Sequence, residues 1–186
     1  PGVGGYCLTK DPLIYSYNIF KKKYENTLGK HSREVNTLSI NYIIKIVNKF
    51  LNRINKDISK ANILIIGMAF KGEPENQDLR DSISLKIAKK LEVKSNKLYC
   101  WDGVIKDNIE TNKRLKVLSK KDFNKISKNI DIFLILNNNT KNKFLDFNLQ
   151  SKKKKLIFDG WNQLDQSDVE KNKSITYATM GYMTNK

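Results

Sequence analysis

Residues able to carry out covalent chemistry are concentrated near the start of the chain, in the run Gly2-Val3-Gly4-Gly5-Tyr6-Cys7-Leu8-Thr9-Lys10-Asp11-Pro12. Glycines allow the backbone to approach a ligand closely and to present amide groups to an anion. The thiol of Cys7 lies three residues before Lys10 and near a helix that we expect to begin at Asp11-Pro12. Lys10 and the helix start would both favour the thiolate, which is the nucleophilic form of the side chain. Alternatively, Cys7 is a small buried hydrophobic residue and Asp11 is only a helix cap.

A second loop with chemical potential, Gly67-Met68-Ala69-Phe70-Lys71-Gly72, follows a short apolar run. In a doubly wound sheet a nucleotide binds at such a place, where Lys71 can meet a phosphate and Phe70 can pack on a ring. The loop does not match the G-x-G-x-x-G fingerprint, which argues against a dinucleotide site here. The alternative is that Phe70 belongs to the core and that Lys71 and Arg80 are surface charges.

Two helices are predicted to follow the first loop. We expect one from Pro12 to Tyr24 and a longer one capped by Ser32. The longer helix carries apolar residues at helical spacing, namely Ile43, Ile46, Val47, Phe50, Leu51 and Ile54. Such a stripe is either core or the seam where another helix or subunit packs, and periodicity leaves both open.

Strands and helices alternate in the rest of the chain. Buried strands are predicted at residues 63–66, 97–101, 132–136, 156–159 and 175–178, with helices at 82–91 and 123–130. This order predicts an α/β fold with a mostly parallel sheet, whose ligands bind outside the carboxyl ends of the strands. We place Cys100 inside a strand, as a packing residue. The predicted boundary separates residues 1–60 from a Rossmann-like domain at residues 61–186.

Composition restricts the classes of function. The net charge of +16 comes from 35 Lys and Arg against 19 Asp and Glu, but these basic residues are spread along every segment. The dense run from Lys152 to Lys155 lacks interleaved aromatics, so we expect no nucleic-acid partner. Two cysteines and one histidine predict neither a disulfide framework nor a metal site. No apolar run is long enough to span a membrane, and we expect a cytoplasmic protein.

Taken together, the motifs resemble one family. The run G-V-G-G-Y-C-L-T-K-D-P, the helix entry Ser32-Arg33-Glu34-Val35-Asn36, and G-M-A-F-K followed by D-L-R-D-S are similar in order and spacing to the UDP-glucose/GDP-mannose dehydrogenases. The resemblance is strong from Pro1 to Asp102 and continues as echoes, including Leu156-Ile157-Phe158-Asp159-Gly160. The motif GVGGYC is more similar to the branch of the family that acts on UDP-N-acetylhexosamines than to the branch that acts on UDP-glucose.

The resemblance implies a role for each matching residue. Cys7 would hold the oxidised C6 of the sugar as a thiohemiacetal and then a thioester, and Asp11 would orient or activate the hydrolytic water. Lys10 and Arg80 would reach NAD. The substrate contacts would be Pro1, Gly2, Val3, Gly4, Phe70 and Lys71. The long helix would belong to a central dimerisation region, which implies a homodimer.

The chain also departs from the family pattern. Since it opens at Pro1 and lacks the NAD-binding Rossmann domain, we expect a C-terminal piece of a longer enzyme that is inactive alone. Trp161 and Asn162 follow Gly160 where the family often has an arginine, which puts one substrate contact in doubt. The expected activity is NAD-dependent oxidation of a UDP-sugar to its uronic acid, for surface polysaccharide or capsule synthesis. The alternatives are a non-catalytic nucleotide-sugar-binding module and a basic RNA-binding domain.

Overall fold

The computed structural model describes residues 1–20, 27–112 and 115–184. Its centre is a six-stranded sheet in the order β2-β1-β3-β4-β5-β6. The strands are β1 (Asn62–Ile66), β2 (Lys97–Trp101), β3 (Ile132–Ile135), β4 (Lys155–Asp159), β5 (Ile175–Thr179) and β6 (Tyr182–Met183). The first five are parallel, and β6 pairs antiparallel with β5. The predicted α/β class and mostly parallel sheet are confirmed.

Five α-helices accompany the sheet within the described residues. They are α1 (Tyr6–Phe20), α2 (Leu28–Arg53), α3 (Ile83–Glu92), α4 (Lys120–Ile126) and α5 (Gln166–Glu170). None of the helices in this part of the chain is long and apolar enough to cross a membrane.

The central strands are mostly apolar because both sheet faces are covered, with β3 apolar at every position and β1 at every position after Asn62. In β1, Ile63 and Ile65 point toward a core shared with α2 and α3, whereas Leu64 and Ile66 point toward a second core that contains Phe123 of α4. The five predicted strands are found within one residue at each end. Cys100 is buried in β2, where burial raises the pKa of its thiol to about 12, so its packing role is confirmed.

The apolar stripe of α2 is mostly used inside the chain. Ile43, Ile46, Val47, Phe50 and Leu51 are all buried in the core that the helix shares with the sheet. Of the two alternatives, core rather than an open seam is therefore correct for these residues. The division at residue 60 stays a prediction, because this core joins the two segments on either side of it.

The start of α1 was predicted wrongly. The helix begins at Tyr6 rather than at Pro12, so Cys7, Lys10 and Asp11 are helical and Pro12 lies inside the helix. Asp11 is therefore not a cap. The physical reason is local, because Thr9 Oγ1 donates to the carbonyl of Gly5 at 2.8 Å and helical geometry is established before the proline. The predicted end at Tyr24 lies outside the described residues.

Three other boundaries differ from the prediction. Helix α2 starts at Leu28 with Thr27 as its cap, and Ser32 lies inside the helix with its hydroxyl on the carbonyl of Gly29. Helix α4 begins at Lys120 and passes into a 3-10 turn after Ile126. The two-residue strand β6 was missed because so short a segment carries no readable alternation.

The chain order of the strands creates a switch point at the carboxyl ends of β1 and β3. From β1 the chain moves outward to β2, then returns and continues through β3 on the other side. Loops leaving β1 and β3 therefore depart to opposite faces, and a crevice forms between them where doubly wound sheets bind ligands. The residues of the second predicted loop, 67–82, lie at this position.

Candidate functional site

The two loops singled out in the sequence are in contact. The amide of Gly5 donates to the carbonyl of Arg80 at 3.0 Å. A Cβ atom placed on Gly4 would lie 2.9 Å from Cβ of Phe70 and 2.8 Å from the carbonyl oxygen of Asp81, and one on Gly5 would lie 2.9 Å from the Phe70 ring. Glycine is thus required here because the backbone runs directly against the loop that follows β1.

The other end of the glycine loop reaches the carboxyl end of β4. A Cβ on Gly160 would lie 2.6 Å from the ring of Pro1. Between these ends the loop is held by Asn36 of α2, which accepts from the amide of Val3 at 2.5 Å and donates to its carbonyl at 2.8 Å. The segment from Pro1 to Gly5 therefore spans the carboxyl edge of the sheet from β4 to β1.

Cys7 is exposed in the first turn of α1, where free backbone N–H groups and the helix dipole stabilise negative charge. Two cations lie around the adjacent aromatic ring of Tyr6. The Nζ atom of Lys10 is 4.9 Å from the ring centroid, and the guanidinium carbon of Arg80 is 5.2 Å from it. The thiol therefore sits in an accessible, electropositive environment.

Both cations are also paired with carboxylates. Lys10 Nζ lies 2.5 Å from Asp11 Oδ1, and this hydrogen bond raises the pKa of Lys10. The guanidinium of Arg80 binds Asp78 through three hydrogen bonds of 2.7 to 3.0 Å, which raise the pKa of Arg80 and lower that of Asp78. Lys10, Arg80 and Asp78 therefore keep their charges across the physiological range.

Phe70 and Lys71 form the opposite side of the contact. The Nζ atom of Lys71 lies 5.6 Å from the centroid of the Phe70 ring. Among the described residues, no carboxylate lies within salt-bridge distance of Lys71. Its charge is therefore free to meet an anionic ligand, in contrast with those of Lys10 and Arg80.

Asp81 ties the two loops to the helices behind them. It accepts contacts from Lys86 of α3 and Arg33 of α2. Burial disfavours its charged form, but hydrogen bonds from Lys86 and Thr9 and the charges of Lys86 and Arg33 outweigh this and lower the pKa of Asp81. The carboxylate thus joins α1, α2 and α3 at one point beside the glycine loop.

A comparison with known proteins identifies the fold unit. Residues 64–166 match the profile described as the UDP-glucose/GDP-mannose dehydrogenase family, UDP binding domain. The chain belongs to this family. The match covers β2, β3, β4 and most of β1, the loop that carries Lys71 and the Asp159-Gly160 turn, so the resemblance noted from the sequence motifs is confirmed.

Individual relatives agree with the family match. The chain is 31% identical over 109 residues to a UDP-N-acetyl-D-mannosamine dehydrogenase of Methanocaldococcus jannaschii, covering 59% of this chain and 23% of that protein. It is 35% identical over 91 residues to the enzyme of the same name from Methanococcus maripaludis, covering 49% and 19%. These names support the predicted similarity to the UDP-N-acetylhexosamine branch. The chain spans about a quarter or less of the length of these relatives.

Solved structures of the family superpose on nearly the whole chain. The UDP-N-acetyl-mannosamine dehydrogenase Cap5O from S. aureus matches with a TM-score of 0.68 and 26% identity over 97% of this chain and 38% of its own. The UDP-D-ManNAc dehydrogenase from Pyrococcus horikoshii matches with a TM-score of 0.69 and 21% identity over 97% and 39%. The second likeness shows the shared fold alone.

Where the family often has an arginine after the turn at Gly160, this chain has a tryptophan that makes a different contact. Trp161 stands after Gly160, and its indole Nε1 donates to the carbonyl of Leu136 at 3.1 Å. The amide of Trp161 is bound by Asp159 at 3.2 Å. The turn after β4 is therefore built without the arginine, and the tryptophan side chain remains 42% exposed at the edge of the sheet.

Sequence reasoning missed the side chains that support the second loop. Asp102, which is 1% exposed, accepts from the amides of Met68 and Ala69 through one oxygen and of Val104 and Ile105 through the other, at 2.7 to 3.1 Å. Its position directly after the buried strand β2 is the signal that could have revealed it. Within the described residues no cluster of histidine, cysteine and acidic residues could hold a metal.

A cluster of amides after β3 was also missed. Asn137, Asn139 and Asn142 are buried, and Asn142 donates to Asn137 Oδ1 at 3.2 Å and to Gln163 Oε1 at 2.9 Å. Two polar atoms of this cluster, Asn137 Nδ2 and Asn142 Oδ1, have no hydrogen-bond partner within the part of the chain that the structure describes. The signal was the polar run directly after the buried strand β3, at the same edge of the sheet as Lys71.

Proposed function

We propose that this chain forms the nucleotide-binding part of an NAD-dependent dehydrogenase that oxidises a UDP-N-acetylhexosamine to its uronic acid. The observation that carries the proposal is the contact between the glycine-thiol loop and the loop of Phe70 and Lys71. This contact assembles a nucleophile, a glycine-rich backbone and an ammonium group that has no carboxylate partner among the described residues, all at the carboxyl edge of a doubly wound sheet. The names of the curated relatives support the choice of sugar.

In this proposal the chain's own residues bind the diphosphate and hold the sugar. Lys71 has no carboxylate partner among the described residues and supplies the positive charge for the phosphates. Phe70 packs beside the nucleotide, and the backbone from Pro1 to Gly4 lines the sugar and phosphates. The peptide groups can approach the ligand closely because three of these first five residues are glycines.

Cys7 is the proposed nucleophile. The C6 alcohol first loses a hydride and its hydroxyl proton and becomes an aldehyde. The Cys7 sulfur adds to this aldehyde to form a thiohemiacetal, and loss of a second hydride from the same carbon, together with the hydroxyl proton, leaves a thioester. Water then adds to the thioester, the carboxylate is released, and the sulfur leaves as the thiolate. Asp11 orients this water, and Lys10 Nζ donates to Asp11 Oδ1 at 2.5 Å and holds the carboxylate in place.

NAD supplies the hydride acceptor for both oxidations. This chain can contact NAD but does not supply its main binding site, since the described residues contain no glycine fingerprint for a dinucleotide. Lys10 and Arg80 flank the Tyr6 ring on the side of Cys7, with the Arg80 side chain 67% exposed. They are positioned to meet the negative charge of a cofactor bound mainly by other parts of the enzyme.

We also propose a homodimer in the cytoplasm that contributes to polysaccharide synthesis. With the stripe of α2 buried, the surface available for dimerisation is the exposed apolar set on α1 and the first half of α2. Its members include Leu8, Ile14, Tyr15, Tyr17, Ile19, Leu28, Val35 and Leu38. Apolar side chains of this size are usually covered in the assembled protein.

Binding measurements distinguish the proposed function from a basic RNA-binding domain. We expect the chain to bind UDP, with the affinity measured by calorimetry. Lys71→Met should weaken this binding roughly tenfold, because a charge-assisted contact to phosphate is lost. Lys171→Met, which removes an exposed lysine on the remote α5 side, serves as the control. RNA binding that exceeds UDP binding at about 50 mM salt and collapses at about 200 mM would instead support the RNA alternative.

Activity separates the enzyme from a non-catalytic nucleotide-sugar-binding module. Here the chain is joined to the N-terminal part of a UDP-N-acetyl-D-mannosamine dehydrogenase, and NADH formation is followed with UDP-sugars. Binding of the sugar nucleotide without NADH formation in a folded, NAD-binding hybrid would support the module.

A further inference from the structure

The peptide that carries Lys71 is anchored on both sides of that residue. On one side Phe70 packs against Gly4 and Gly5. On the other side the amides of Gly72 and Glu73 both donate to Oδ1 of Asn138, at 2.7 and 3.1 Å. Lys71 therefore lies between the glycine-thiol loop and the loop that follows β3.

Neighbours of Asn138 reinforce the second anchor. Asn139 Nδ2 donates to Glu75 Oε1 at 3.0 Å, while the amide and hydroxyl of Thr140 both lie 3.2 Å from Glu73 Oε1. A Cβ on Gly72 would lie 2.7 Å from the carbonyl carbon of Asn138. The two loops therefore meet backbone to backbone across the switch point, with Asn138 bridging them.

This arrangement leaves the backbone to determine where the ammonium group of Lys71 lies. No carboxylate among the described residues holds its side chain, and the carbonyl of Lys71 is bound by Asn76 Nδ2 at 3.0 Å within the same loop. Hydrogen bonds from the segment after β3 connect residues 72–75 to the rest of the fold. Loss of Asn138 would remove the two hydrogen bonds closest to Lys71 on that side, those from the amides of Gly72 and Glu73.

We propose that Asn138 is a positioning residue, which fixes the loop so that Lys71 meets the phosphates of the sugar nucleotide. The proposal rests on the proposed function of Lys71. A neutral amide suits this role, because its oxygen accepts both N–H groups without placing a negative charge beside the ammonium group. An aspartate would accept the same two hydrogen bonds but would compete with the phosphates for Lys71.

A double-mutant cycle on the full chain tests the proposal. UDP affinity is measured for wild type, Asn138→Ala, Lys71→Met and the double variant, together with hydrogen exchange of the Gly72 amide. Asn172→Ala is the matched control, because Asn172 is equally half-buried and its side chain holds a loop at the opposite end of the sheet through three hydrogen bonds. Asn138→Ser, too short to bridge both amides, replaces the alanine variant if that variant does not fold.

We expect Asn138→Ala to weaken UDP binding roughly tenfold in the wild-type background and less than about twofold beside Lys71→Met. Exchange at Gly72 should accelerate in Asn138→Ala, stay slow in Asn138→Asp, and be unaffected in Asn172→Ala. An equal loss of affinity in both backgrounds, or unchanged exchange at Gly72, would overturn the proposal. Wild type that fails to bind UDP would overturn the proposed function and this proposal with it.

Discussion

At the scale of single residues, the environment of Cys7 separates it from Cys100. Cys7 is exposed in a first helical turn with two cations around the neighbouring ring, whereas Cys100 lies in the core with its pKa raised to about 12 by burial. Only the first has the access and the electropositive surroundings that a nucleophile needs. Their chemical difference follows from position and not from residue type.

We expect Cys7→Ser to abolish uronic acid formation, because a hydroxyl is a far weaker nucleophile than a thiolate at neutral pH. The measurement is NADH formation by the hybrid enzyme described above, with at least a thousandfold loss expected, on the order of 4 kcal/mol in the barrier. Cys100→Ser is the control for general thiol effects. Undiminished turnover by Cys7→Ser would show that the sulfur is not the nucleophile.

Lys155 is a buried cation remote from the site. Its Nζ donates to the carbonyl of Ser127 at 2.9 Å and lies 5.5 Å from the centroid of the Phe133 ring. Burial, followed by the charge of Lys153, lowers its pKa from 10.5 to about 8. The folded state therefore loses this proton more readily than the unfolded chain, and below pH 8 the buried charge reduces stability.

The sign of this shift gives a pH prediction. Between about pH 8 and 10.5 the unfolded chain binds more protons at Lys155, so this residue makes the free energy of unfolding rise with pH. We expect Lys155→Met to be more stable than wild type near pH 7 by roughly 2 to 3 kcal/mol, with the difference shrinking toward pH 10. Urea unfolding of both proteins at several pH values measures it. A difference independent of pH would contradict the assignment.

At the scale of elements, α2 is divided into a buried half and an exposed half. Its second half packs on the sheet through residues such as Phe50, which is 1% exposed, whereas Leu38 in the first half is 59% exposed. A continuous helix therefore connects the core of the sheet to the apolar surface shared with α1. The same helix also holds the glycine loop through Asn36.

This division predicts that two substitutions on one helix change the free energy of unfolding by very different amounts. Phe50→Ala should lower the free energy of unfolding by about 3 to 5 kcal/mol, because it leaves a cavity in the core. Leu38→Ala should change it by less than about 0.5 kcal/mol, since its side chain is mainly in contact with solvent in the single chain. Urea unfolding of the two variants compares them directly. Equal losses would mean that the first half of the helix is also packed.

At the scale of the whole molecule, a net charge of +16 coexists with an exposed apolar surface at one end. Several of the described basic residues pair with carboxylates, and these pairs lie in different regions of the structure. That the charge marks no nucleic-acid partner stays a prediction. The apolar surface of α1 and α2 is the feature that indicates association.

We expect the chain to dimerise through that surface. Sedimentation at increasing protein concentration should show a monomer-dimer equilibrium that Leu38→Glu weakens at least about tenfold, since a buried charge without a partner is costly. Phe144→Glu is the control, because Phe144 is 71% exposed and follows β3 beside α4, on the face of the sheet opposite to α2. If both variants associate as wild type does, the dimer is not formed through α2.

The order of strands and helices along the chain followed from the sequence, since β1, β3 and β4 contain short apolar runs that a sheet covered on both faces buries. Its motifs also selected Cys7, Phe70 and Lys71 and indicated the family. The start of α1 and the caps of α2 were beyond it, because hydrogen bonds such as Thr9 to Gly5 outweigh the local preferences of proline and serine.

Only the tertiary structure brought the two loops together, because residues separated by more than sixty positions meet only after α2 has folded back onto the sheet. It alone decided that the stripe of α2 is core, since periodicity does not reveal what an apolar face packs against. The supports of the site, Asp102 and Asn138, also emerged from it. Their roles depend on which distant backbone amides face them, and no local pattern records that.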